Sequence, residues 1–143
     1  MTRSAPARDR QLTDPARVHV AIVQPRYLEM ILQGLKRAET RLSKTRRLPY
    51  KGLDAGEVIY FKATGGAIGA RAVASRVHRF ELAGPGDVQT VRSRFEGVLG
   101  GPSPYWDCKA DARYATIIEL SGVEAVSEPP AWFRPVPSRS AWH

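Results

Sequence analysis

Between Ala67 and Val77 the chain reads AIGARAVASRV, with the small residues Ala70, Ala72 and Ala74 at every second position. A period of two belongs to a strand, and methyl side chains along one face let it bend strongly or meet a neighbour closely. Curvature is what a barrel requires. Gly65-Gly66 supplies a hairpin turn from the preceding run Val58-Ile59-Tyr60-Phe61-Lys62-Ala63, a strand by composition. Within that run Ile59, Phe61 and Ala63 are expected to face the core, with Tyr60, Lys62 and Thr64 on the other face.

The remaining elements follow from periodicity and breakers. Val18 to Val23 is short and β-branched, a strand with Val18, Val20 and Ile22 on one face and His19 on the other. Pro25 suits the first position of a helix in which Leu28, Ile31, Leu32 and Leu35 form the buried stripe, and Gly34 stops it. Arg37 to Leu42 alternates as a second strand, placing Glu39 and Arg41 on one face and Lys36 at the junction before it. Asp87 after Pro85-Gly86 reads as the N-cap of a helix presenting Val88, Val91, Phe95 and Val98 on one side. Tyr105-Trp106 then sits in a Gly/Pro loop, where Trp106 either stacks on a base or plugs the end of a barrel. Tyr114 to Leu120 is the last clear strand, and Val123 to Val126 extends it.

The 143-residue chain, 43% hydrophobic, is long enough for one domain with a core. No apolar run reaches the roughly 20 residues that span a bilayer. The N-terminus lacks the apolar middle of a secretory signal, so the expected location is the cytoplasm. Cys108 is the single cysteine and the histidines are His19, His78 and His143, a set that offers no structural zinc site. No metal and no cofactor are expected.

Charge is distributed far from evenly. Of the net +8, residues 36 to 51 hold +6 and residues 1 to 17 hold +2, while residues 52 to 143 balance. Such a concentration marks a surface that meets an anion; the alternative is a solvated basic loop. Residues 1–17 are read as a flexible basic arm, residues 18–128 as the domain, and residues 129–143, PPAWFRPVPSRSAWH, as a Pro/Trp-rich C-terminal tail packed on it, with Trp132 and Phe133 as pins.

Within the basic stretch, Gly34-Leu35-Lys36-Arg37-Ala38-Glu39-Thr40-Arg41 matches the pattern G-x-K-x-x-E-x-R. It resembles the signature of the ASCH domain, the activating signal cointegrator homology domain of the PUA-like superfamily. The resemblance covers about residues 18 to 126, taking in the strand and helix before the motif and the strands after it. It implies an α+β fold, a PUA-like partly open β-barrel with two or three flanking helices and a cleft lined by the motif.

The resemblance also implies binding of RNA or a nucleotide, with Lys36, Glu39 and Arg41 lining the cleft. Lys44, Arg46, Arg47, Tyr50, Lys51, Lys62 and Trp106 complete the expected nucleic-acid-binding set, reaching along a phosphate backbone of single-stranded RNA. Glu39 between cations can orient them, accept from a base edge or hold a metal; a plain ion pair that shapes the turn is the other reading.

The rival function is a hydrolase, either a ribonuclease or a modified-nucleoside amidohydrolase, with Lys36 and Glu39 as the catalytic pair. Family members resembling acetylcytidine amidohydrolases have Thr at the motif's Glu position, where this chain has Glu39. Thr40 is adjacent but is expected on the opposite strand face. A protein partner recognised through the C-terminal tail is a third possibility, and no membrane partner is expected.

Overall fold

In a computed structural model, residues 18–101, 103–133 and 142 are described. Five strands and three helices follow in the order β1 (Val18–Val23), α1 (Pro25–Leu32), β2 (Ala38–Ser43), β3 (Val58–Ala63), β4 (Ile68–Glu81), α2 (Pro85–Arg94), α3 (Tyr105–Cys108) and β5 (Tyr114–Ala125), with a 3-10 turn at Glu96–Val98. The strands form one sheet in the order β1-β3-β4-β5-β2. Only β1 and β3 run parallel; the other neighbours are antiparallel. The sheet curls into a half-barrel, an α+β architecture.

Its bend lies where the alanines predict it. Ala70, Ala72 and Ala74 are fully buried on β4, and the β4–β5 register shifts between Arg71 and Val73 and again between Ala74 and Arg76. Such irregularities raise local twist, which lets one long strand serve two sub-cores. The first holds Ile31, Ile59, Phe61, Ile118 and the β4 alanines. The second lies under α2 and α3 and gathers Val88, Val91, Phe95, Leu99, Trp106 and Ile117. β5 is therefore buried on both faces at Ile117 and Ile118.

The alternation expected of β1 is present, with its core side set by the fold, and other expectations are corrected. On β1 the first sub-core takes Ala21 and Val23, on the face of His19, which is itself buried. Periodicity finds the alternation but not which side meets the core. On α1 the stripe reduces to Ile31 and a half-buried Leu28, while Leu32 and Leu35 are exposed, because the helix ends at Leu32 and Gly34 turns the chain away. The N-cap of α2 is Gly84 rather than Asp87, whose carboxylate accepts the Ala83 N–H at 2.7 Å from inside the first turn. β2 begins at Ala38 and β4 runs on to Glu81, past Val77. Trp132 is 44% exposed with its edge on Tyr60, whereas Trp142 is buried in the first sub-core. Among the described residues no helix is long and apolar enough to cross a membrane.

Candidate functional site

The two edges of the half-barrel are β1 and β2, so the barrel is open between them. After α1, Gly34 at φ +79° reverses the chain, and the N–H groups of Leu35 and Lys36 both return to the Met30 carbonyl at 2.9 and 3.1 Å. This helix stop fixes Lys36 at the foot of α1 and sends the chain into β2 along the opening. On β2, Glu39 and Arg41 share the side facing the gap. The Arg41 guanidinium crosses it, with Nη2 donating to the Ile22 carbonyl of β1 at 2.9 Å.

Between these edges lies a cleft of about 290 Å3 lined by β1, α1, β2 and the loop carrying Leu99 to Trp106. Its floor is ionic. Glu39 Oε2 accepts from Arg41 Nε at 3.0 Å and Nη2 at 2.6 Å, and its Oε1 accepts the Thr40 N–H at 3.2 Å. Lys36 Nζ stands 3.5 Å from the same Oε1 and 5.6 Å from the Tyr27 ring centroid. Burial pushes the Glu39 carboxyl up, but the charges of Arg41 and Lys36 and the hydrogen bonds from Arg41 and Thr40 outweigh it and hold its pKa below the ordinary value. Glu39 is thus an anion whose oxygens are engaged in orienting two cations.

The cations differ in what they have left to give. Lys36 is 7% exposed, and its three N–H donors meet one carboxylate at an ion-pair distance. Thr40 also contributes to the lining, but its side chain alternates with Glu39 and Arg41 on β2, on the face of Ala38 and Leu42 of the second sub-core, and its hydroxyl is buried without a hydrogen-bond partner. Leu42, next along the same edge, gives its N–H to the Tyr105 hydroxyl at 2.8 Å. Gly100 brings the facing loop in: at φ +87° it places its backbone so that a Cβ would stand 2.8 Å from Met30 Cε and 3.2 Å from Lys36 Cβ. Gly100→Ala is therefore expected to cost about 1–3 kcal/mol in a denaturant melt and to displace Lys36; an unchanged midpoint would show that the loop has room to spare.

At the mouth of the cleft Tyr27 and Ser103 share a hydrogen bond of 2.6 Å, and Arg26 Nη2 donates to the Tyr27 oxygen at 2.9 Å. Burial pushes this phenol up, yet the hydrogen bonds with Ser103 and Arg26 and the charges of Arg26 and Lys36 bring its pKa below the ordinary value.

No family model matches the sequence, and no curated protein does. Solved structures do. The crystal structure of an ASCH protein from Zymomonas mobilis aligns over 77% of this chain and 71% of its own at TM-score 0.61 and 18% identity. A Tyr-to-Phe variant of the Zymomonas mobilis ASCH protein aligns over 85% and 87% at TM-score 0.64 and 19% identity. A Ser-to-Ala variant aligns over 90% and 87% at TM-score 0.64 and 17% identity. The chain has the ASCH-domain fold.

Within this ASCH fold the motif residues Lys36, Glu39 and Arg41 come together in the cleft, while the rest of the predicted set spreads out. Lys44 pairs with Asp111 at 2.9 Å and Arg46 with Glu81 at 3.3 Å, all four side chains well exposed. Arg47 and Tyr50 line a smaller hollow beyond Arg41. Lys51 is exposed on a turn, and Lys62 is half-buried on β3 with Nζ 3.5 Å from the Ala63 carbonyl; neither lines the cleft or that hollow. Trp106 takes the core alternative: at 3% exposure on α3 it forms a wall of the cleft and offers no open face to a base.

Tyr27, Ser103 and Tyr105 are the site groups that the sequence alone did not single out. The Tyr105-Trp106 pair carried the one usable signal, because an aromatic with a hydroxyl suits the wet side of a wall. Among the described residues no group of three or more His, Cys, Asp and Glu is placed to hold a metal ion.

Proposed function

We propose that the cleft binds one nucleotide of single-stranded RNA, or a free nucleotide, with its base held against Lys36. The observation that carries this reading is the buried Lys36 ammonium, held 3.5 Å from Glu39 yet with donors unspent. A buried donor without an acceptor is costly, so the arrangement favours a ligand that brings carbonyl or phosphoryl oxygens. The cleft volume of about 290 Å3 equals roughly ten waters, which suits a base better than a long segment. The basic stretch beyond the motif supplies the long-range attraction.

The test is a panel of nucleosides, nucleotides and short RNAs titrated against the wild type, Lys36→Ala and Glu39→Gln. Removing Lys36 takes a charge-assisted bond from the ligand, with an expected loss of about ten- to a hundredfold in affinity. Glu39→Gln keeps the shape while loosening both cations, so it is expected to alter the order of preference more than bulk RNA affinity. Wild-type affinity in Lys36→Ala for every ligand would remove the cleft from consideration.

A hydrolytic reading has one observation in its favour, the 2.6 Å hydrogen bond between Tyr27 and Ser103 in the cleft lining. A tyrosine and a serine sharing a hydrogen bond in the lining of a cleft are a pair through which a proton can pass. Scoring the same panel for product, with Tyr27→Phe as the control, decides it: turnover abolished in a folded Tyr27→Phe protein supports hydrolysis, and no product from any ligand leaves binding alone.

A further inference from the structure

Arg41 and Tyr105 line the cleft on one side and, on the other, a separate hollow of about 140 Å3. The hollow is bounded by Arg47 and Tyr50 after β2, Lys109 after α3, and Trp142. Among the described residues no carboxylate lines it. Most cations of the basic stretch near the site are matched by acids: Lys36 and Arg41 by Glu39, Lys44 by Asp111, Arg46 by Glu81. Among the described residues Arg47 and Lys109 form no ion pair, and both face this hollow.

A lining of cations and hydroxyls with no acid concentrates anions. Tyr105 adds a directed donor. Its oxygen accepts the Leu42 N–H, and burial raises the phenol above its ordinary pKa, so its own O–H proton stays in place to be given. The volume corresponds to roughly four or five waters, the bulk of one phosphate group and less than that of a nucleoside. The two cavities share Arg41 and Tyr105 as a common wall, which sets them side by side.

We propose that this hollow is a phosphate subsite, taking the phosphate attached to the nucleoside whose base lies in the cleft. The ligand class is thereby narrowed to nucleotides and oligonucleotides, with nucleosides as weak partial ligands. This rests on the cleft as a nucleotide site, and the experiment separates the two claims.

Inorganic phosphate is titrated into the full chain and followed by amide NMR shifts and tryptophan fluorescence, with chloride at matched ionic strength as control. Saturable shifts at Ser43, Arg47 and Tyr50 are expected, absent in the double variant Arg47→Gln/Lys109→Gln. Shifts spread equally over Lys44, Lys51 and Lys62 mean diffuse counterion attraction and overturn the proposal. In a second arm a nucleoside, its 5′- and 3′-monophosphates and a dinucleotide are compared. At least one phosphorylated ligand is expected to bind about tenfold or more tighter than the nucleoside, with the gap closing in the double variant.

Preference for a monophosphate identifies a free nucleotide as the phosphate source, and preference for the dinucleotide identifies RNA. Equal binding of nucleoside and nucleotides overturns the subsite and leaves the cleft. Saturable phosphate binding in the hollow with no affinity for any nucleoside or nucleotide does the reverse.

Discussion

Arg41→Ala is expected to destabilise the protein by about 3 kcal/mol at neutral pH, the lower end of the cost of breaking a buried ion pair. Arg41 makes the shortest contact to Glu39, 2.6 Å from Nη2 to Oε2, and also joins β2 to the Ile22 carbonyl across the open side of the half-barrel. Its removal leaves a carboxylate that is 5% exposed with Lys36 at 3.5 Å as its nearest countercharge. Lys36 keeps the loss from being larger.

The pH dependence gives the sign. In the wild type the Glu39 pKa lies below the ordinary 4.5, so the stability it contributes is present above that value and is lost as pH falls through the folded pKa. In Arg41→Ala burial meets less opposition, protonation relieves the carboxylate, and the gap between the two proteins narrows toward acid. Urea melts at neutral pH and near pH 4 test this; a gap that is constant or widens in acid would mean that Arg41 stabilises through its bond to Ile22 and not through Glu39.

Trp142→Ala is expected to cost about 3–5 kcal/mol, in the range of large aromatic truncations in a core. Trp142 is 4% exposed, forms a β-bridge to Ala21 on β1 and fills the first sub-core from the open side. Its indole Nε1 donates to His19 Nδ1 at 3.2 Å, and His19 Nε2 lies 2.8 Å from Glu57 Oε1. Because the indole nitrogen only donates, Nδ1 must accept, which puts the imidazole proton on Nε2 for Glu57. The ring's other role is to carry Arg41, whose guanidinium carbon stands 5.2 Å from its centroid.

A thermal scan is expected to show a fall of roughly ten degrees for Trp142→Ala. Trp142→Phe keeps most of the packing but orphans His19 Nδ1, at about 1–3 kcal/mol. If Trp142→Phe equals wild type, the hydrogen bond to His19 contributes nothing and packing accounts for the whole effect. If Trp142→Ala melts unchanged, the side chain does not occupy the core in solution.

Local order along the chain carries much of this protein. The alternating alanines before Val77, the hairpin at Gly65-Gly66 and the breakers at Pro25 and Gly34 are short-range features, and the strands and helix stop they imply are present. The G-x-K-x-x-E-x-R spacing likewise fixes, through a helix stop followed by a strand of period two, that Glu39 and Arg41 share a face and that Lys36 stands at their foot. Charge counting located the basic stretch.

Which of those charges remain open to a ligand was decided by the tertiary structure alone, since Asp111 and Glu81 arrive at Lys44 and Arg46 from distant parts of the chain and leave Arg47 facing a hollow. The same holds for the choice of Trp142 over Trp132 as the buried ring, of a core position for Trp106 over an open one, and of the His19 face over the Val20 face of β1 as the wall of the first sub-core. Periodicity is set by backbone geometry and is written residue by residue. Which face is covered, and by what, depends on contacts between segments tens of residues apart, and those exist only once the sheet has curled.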